Sequence, residues 1–118
     1  MCAKTMDEQM TDPLLARYSP SERRAILVHK YFLGIELGYD PGVGCAITSW
    51  ESRVANCWRR ERQIADCTLQ LTEMEQHQRQ LCQKAGEEIP FDTAARDWIR
   101  NHAADWRRRR EEAAGPVA

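Results

Sequence analysis

The stretch His29 to Arg62, HKYFLGIELGYDPGVGCAITSWESRVANCWRRER, decides the reading of this chain once it is laid without a gap over His77 to Arg110, HQRQLCQKAGEEIPFDTAARDWIRNHAADWRRRR. Ten positions agree at a constant offset of 48: His29/His77, Leu33/Leu81, Gly38/Gly86, Ala46/Ala94, Trp50/Trp98, Ala55/Ala103, Trp58/Trp106, Arg59/Arg107, Arg60/Arg108 and Arg62/Arg110. Chance would give about two. Every tryptophan of the protein pairs with another tryptophan, and such rare residues recurring at one spacing point to duplication of an ancestral unit.

Each copy reads as a helix that ends at a glycine, a short acidic turn, and a second helix carrying two tryptophans eight residues apart. In the first copy the turn is Gly38-Tyr39-Asp40-Pro41-Gly42. Gly38 suits the left-handed conformation that closes a helix, Asp40 is a cap for the next one, and Pro41 fits its first position. In the second copy Gly86-Glu87-Glu88-Ile89-Pro90 holds the equivalent place, with Asp92 the candidate cap. Upstream, Ser19-Pro20-Ser21-Glu22 has the form of a capping box and opens the first helix. Leu27, Val28, Tyr31, Phe32 and Ile35 then follow at helical spacing, which predicts one broad buried face.

Between Gly44 and Gly86 there is neither glycine nor proline. Ile47, Trp50, Val54, Cys57, Ile64, Cys67, Leu71, Met74, Leu81 and Ala85 form a stripe interrupted only by Glu61 and Gln78. The fold class is therefore all-α, a tandem duplicated helix-turn-helix unit, in one of two arrangements. In one, residues 43–86 form a single central helix roughly 65 Å long, with the first helix folded on one half and a last helix, about 91–112, on the other. In the other, a bend near Arg59 to Arg62 makes a four-helix bundle. The long helix leaves part of its stripe uncovered, and a homodimer is the simplest cover. The expected organisation is a flexible N-terminal arm, 1–18, a single helical domain, 19–113, built of repeats at about 19–62 and 63–112, and a frayed tail, 114–118.

With 118 residues the chain has room for one modest core. Its 17 basic and 18 acidic side chains argue against a surface wholly devoted to nucleic acid or anionic lipid. No stretch approaches the roughly 20 apolar residues of a membrane span, and Met1 to Met10 lacks the apolar core of a signal peptide, so a cytoplasmic location is expected. Five cysteines, an odd number with no Cys-x-x-Cys pair, fit a reducing compartment. Cys45, Cys57, Cys67 and Cys82 fall where a helix would bury a small hydrophobe.

Two sets of residues suggest more than packing. His29 and His77 are a repeat-equivalent pair that a metal or proton-transfer site would use. The cysteines do not recur with them, however, and Glu73, one turn before His77, has Ala25 as its counterpart. No metal or cofactor site is expected, and each histidine is read as bridging its helix pair. The second set is Trp58, Arg59, Arg60 and Arg62 with Trp106, Arg107, Arg108 and Arg110: aromatic rings flanked by guanidinium groups at the edge of a core, a candidate partner-binding surface. No phosphate loop, nucleophile elbow or zinc motif is present, so an enzyme is not expected.

The stretch His29-Lys30-Tyr31-Phe32-Leu33, with Gly38-Tyr39-Asp40-Pro41-Gly42, Ala46 and Trp50, resembles a short helical module of uncharacterised bacterial proteins. The second copy departs from it at Gln78-Arg79-Gln80. The resemblance implies a bacterial cytosolic protein and carries no activity, cofactor or site residue. The function expected is a non-catalytic protein-interaction module: an adaptor, assembly factor or regulator of a larger cytoplasmic protein. The alternatives are a nucleic-acid binder acting through the arginine clusters and a thiol or metal sensor.

Overall fold

A serine followed by proline and, two residues later, glutamate starts the main helix of the chain. Ser19 has extended backbone (φ −65°, ψ 158°), and its hydroxyl oxygen accepts the N–H of Glu22 at 3.3 Å. The computed structural model describes residues 6–113, and all regular structure among them is helical. The elements are α1 (Met6–Met10), a 3-10 turn (Pro13–Leu15), α2 (Pro20–Leu37), α3 (Gly42–Arg53), α4 (Ala55–Ala85), α5 (Phe91–Asn101) and α6 (Ala103–Ala113). No helix among the described residues is long and apolar enough to cross a membrane. The described residues form two compact units, one comprising those up to Asn56 together with 110–113, the other spanning Cys57–Arg109.

In the first unit α1 and α3 both pack on α2. The inward side of α2 carries Ser21, Glu22, Ile26, Leu27 and Leu33. A carboxylate is tolerated there because Glu22 accepts the indole N–H of the buried Trp50 at 3.0 Å. Ser21 donates its backbone N–H and hydroxyl to the two carboxylate oxygens of Glu111, at 3.0 and 3.1 Å. This places a negative charge at the N-terminus of α2, where the helix dipole favours it.

The expected flexible arm is corrected over its described part. Leu15 and Tyr18 belong to the core. Arg23 donates from Nε to the carbonyls of Leu15 and Tyr18, and from Nη2 to that of Ala16, which satisfies the backbone of the 3-10 turn. Tyr18 Oη donates to Glu51 Oε1 at 2.7 Å. The proposed tail at 114–118 lies outside the described residues, as do the first five residues of the arm.

Both turns close at the glycines expected. Gly38 (φ 81°) donates to Gly34 O at 2.8 Å, and Gly86 (φ 69°) donates to Cys82 O at 2.9 Å. Asp40 accepts the N–H of Gly42 at 2.9 Å and pairs with Lys30 Nζ at 3.0 Å. In the second unit Gln78 donates to Ile89 O at 2.9 Å and the Ile89 N–H donates to Cys82 Sγ at 3.3 Å. Asp92 is not a cap: Pro90 takes the N-cap position without a side-chain bond, and Asp92 stands in the first turn of α5.

The central stretch departs from both expected arrangements. It breaks at Val54 (φ −127°, ψ −37°), so 43–86 is not one helix, and Arg59 to Arg62 lie without a break inside α4. The last helix breaks likewise, at His102 (φ −130°, ψ −20°). Neither site has glycine or proline, and each N–H still reaches a tryptophan carbonyl four residues back, Val54 to Trp50 at 2.9 Å and His102 to Trp98 at 2.7 Å. The burial pattern gives the physical reason. Ala46, Trp50 and Ala55 are buried, as are Ala94, Trp98 and Ala103, in steps of four and then five. An extra residue turns the following helix by about 100° relative to a regular stripe. In α4 Cys57, Ile64, Cys67 and Leu71 are exposed and Trp58, Arg62, Asp66 and Gln70 half-buried, which corrects the expected stripe over that stretch, while Met74 and Leu81 further along are half-buried as expected.

Candidate functional site

The repeat-equivalent histidines make equivalent bonds. His29 Nε2 and Ser49 Oγ are hydrogen-bonded at 2.9 Å, and His77 Nε2 donates to Asp97 Oδ2 at 2.6 Å; each partner lies 20 residues along the chain. The chemistry at the two positions differs. His29 lies edge-on to Trp50 at 5.9 Å, and burial, followed by the positive charge of Arg53, pushes its pKa down. Asp97 is held below the usual carboxylate range, first by the hydrogen bond from His77. The ring of His102 stands 5.1 Å from that of His77. Each histidine thus joins the helix before a turn to the helix after it. Among the described residues no three or more His, Cys, Asp or Glu side chains converge as a metal ion would require.

The tryptophan and arginine set is largely engaged within the chain. The guanidinium of Arg62 stands 6.0 Å from the ring centre of Trp58, and its Nε donates to both carboxylate oxygens of Asp66, at 3.1 and 3.2 Å. Trp106 packs edge-on to the buried Trp98 at 6.4 Å. Arg108 pairs with Asp105, which also takes Arg109 Nε at 3.1 Å. The pair formed with Arg108 holds the Asp105 carboxyl below its ordinary range. Arg59, Arg60 and Arg107 are exposed, and Arg110 is half-buried. Trp58 and Trp106 are half-buried, and their flanking charge is partly offset by local carboxylates.

The surface that sequence reasoning missed is on α2. Val28, Tyr31, Phe32 and Ile35, assigned above to a buried face, are 40, 65, 61 and 63% exposed. They sit at i, i+3, i+4 and i+7 on one side of the helix, and the rings of Tyr31 and Phe32 meet edge-on at 5.4 Å. The opposite side is buried although it carries Glu22, His29 and Lys30. Each of those polar tips is satisfied, by Trp50, Ser49 and Asp40 respectively, so the less apolar side could face inward at no cost in unpaired groups. The signal was present in the sequence as an excess: α2 has apolar residues on both sides, more than one packed face needs.

Comparison with known proteins finds no matching family model, no matching curated sequence and no matching solved structure.

Proposed function

We propose that the chain is a non-catalytic protein-interaction module, an adaptor, assembly factor or regulator, and that the outer face of α2 is its contact surface. The observation that carries this reading is the exposure of Val28, Tyr31, Phe32 and Ile35 on one side of a single helix. At these exposures each side chain forgoes about 1–2 kcal/mol relative to full burial. A contiguous patch of this kind marks an interaction site more often than scattered apolar residues do. The two sides of α2 divide the work: satisfied polar groups and Ile26, Leu27 and Leu33 hold the fold, while the aromatic side remains available.

A tandem duplication belongs to the same reading. It is supported by the ten matched positions, by the glycine turns at 38 and 86, by the breaks at 54 and 102, and by the histidine bonds to positions 49 and 97. The copies have diverged where the proposal needs them to: His77-Gln78-Arg79-Gln80 stands where the first copy has His29-Lys30-Tyr31-Phe32, so the aromatic face exists once. A cytoplasmic setting is supported by the four described cysteines, all free thiols.

The test is to immobilise the wild-type chain and Phe32→Glu, both checked for native helicity, and to challenge each with lysate of the native source. Polypeptides retained by the wild type and lost from the variant are the expected result. The same retained set on both would overturn the assignment of α2 as the contact surface.

A further inference from the structure

The outer face of α2 has the internal symmetry that contact between two copies of it requires. A symmetric dimer needs a patch that is complementary to itself under a two-fold rotation. For two antiparallel helices this means that the pattern must survive reversal. The positions 28, 31, 32 and 35 do so: reversal about the midpoint of Tyr31 and Phe32 exchanges Val28 with Ile35 and Tyr31 with Phe32. The chemistry survives as well as the spacing, since a β-branched aliphatic is exchanged for a β-branched aliphatic and an aromatic for an aromatic. No charge interrupts the strip. Lys30, the charged residue within this span, is turned away onto Asp40, with its side chain only 13% exposed.

We infer that two copies of this chain associate through antiparallel contact of their α2 helices, with Tyr31 of each over Phe32 of the other and Val28 of each beside Ile35 of the other. Edge-to-face and offset ring pairs are the preferred geometry for such aromatic contacts, and Tyr31 and Phe32 already present their rings at 78° to each other. At the exposures given above, the four side chains offer about 450 Å² per copy, or about 900 Å² across a dimer. That is just under the smallest specific interfaces, so the association is weak and concentration-dependent. This inference rests on the reading of α2 as the contact surface.

The experiment is sedimentation equilibrium under reducing conditions from about 10 µM to about 1 mM chain. It uses the wild type, Phe32→Glu, Val28→Asp, Ile35→Lys, and an equimolar mixture of the last two, with binding of an apolar fluorescent dye measured on the wild type and on Phe32→Glu. The expected result is a reversible wild-type dimer, monomeric Phe32→Glu, and a mixture that associates at least tenfold more tightly than either of its components. Antiparallel contact sets the introduced carboxylate at position 28 of one variant against the introduced ammonium group at position 35 of the other, whereas parallel contact does not. A wild-type dimer that Phe32→Glu leaves intact overturns the inference, and so does a mixture no tighter than its components. A wild type that stays monomeric while binding dye at a site lost in Phe32→Glu overturns the second copy as partner and leaves the contact surface standing. A monomer that binds no dye overturns both. Should Phe32→Glu fail to fold, the mixture still decides.

Discussion

Replacing Trp50 by phenylalanine tests how the first unit is held together. The indole is almost wholly buried, and its N–H is bonded at 3.0 Å to the carboxylate of Glu22, itself buried. Two losses follow. One is the hydrogen bond to a charged group, which contributes about 1.5–3 kcal/mol net. Shrinking the ring system opens a small cavity worth roughly 1 kcal/mol more. Trp50→Phe is therefore expected to destabilise the protein by about 3 kcal/mol.

The matched position provides the control. Trp98 is as buried as Trp50, but Gln70 stands where Glu22 stands in the first copy, and the Trp98 indole meets no carboxylate among the described residues. Trp98→Phe should show only the cavity loss, about 1 kcal/mol. Urea denaturation followed by far-ultraviolet circular dichroism gives both values, and the difference of about 2 kcal/mol isolates the hydrogen bond. Adding Glu22→Gln to Trp50→Phe should recover part of the difference, because a neutral amide is cheaper to keep buried than a carboxylate that has lost one donor. Equal costs for Trp50→Phe and Trp98→Phe, within about 0.5 kcal/mol, would refute the claim that Glu22 is accommodated by this bond.

Three further outcomes are expected. The pKa of His29 is lowered by burial and by Arg53, so the unfolded chain binds more protons just below pH 6.5; its contribution to stability is full above that value and is lost as the pH falls, and His29→Gln should flatten the dependence of Tm on pH below about 6.5. Asp97 is lowered as well, so its contribution is present above about pH 3.8 and disappears on further acidification, and Asp97→Asn should remove this acid limb in a thermal titration. Gly38→Ala and Gly86→Ala should each cost about 1 kcal/mol in urea, because both residues have positive φ, and the cost should be similar because a Cβ at either position would meet nothing within 4 Å.

The start of α2 and the two glycine stops were legible because they are local chemistry, whereas the breaks at Val54 and His102, which carry no glycine or proline, were not. Ser19 meets Glu22 three residues on, and Gly38 and Gly86 close their helices by bonds that reach back four residues. The recurrence of histidine at 29 and 77 was legible too, although its bonding partners, Ser49 and Asp97, were not singled out. Neither partner is one of the ten matched positions, since serine in one copy is aspartate in the other. The tryptophan and arginine set was identified by composition, and its ion pairs with Asp66 and Asp105 were not, because composition does not say which carboxylate a guanidinium will reach.

By itself the sequence determined that this protein is helical, where its turns fall, and that its residues repeat at an interval of 48. Those properties depend on contacts a few residues apart along the chain. Tertiary structure alone decided which side of each helix faces inward. In α2 the apolar count favoured the side of Tyr31 and Phe32, but Trp50, Ser49 and Asp40 satisfied the polar groups on the other side and made that one the core-facing surface. In α4 the periodicity was right and its phase was wrong from Cys57 to Leu71, because the break at Val54 adds one residue between Trp50 and Ala55, and those side chains are exposed while Met74 and Leu81, further along, are half-buried. A period is a property of neighbours in sequence, whereas a phase is set by whatever the helix packs against.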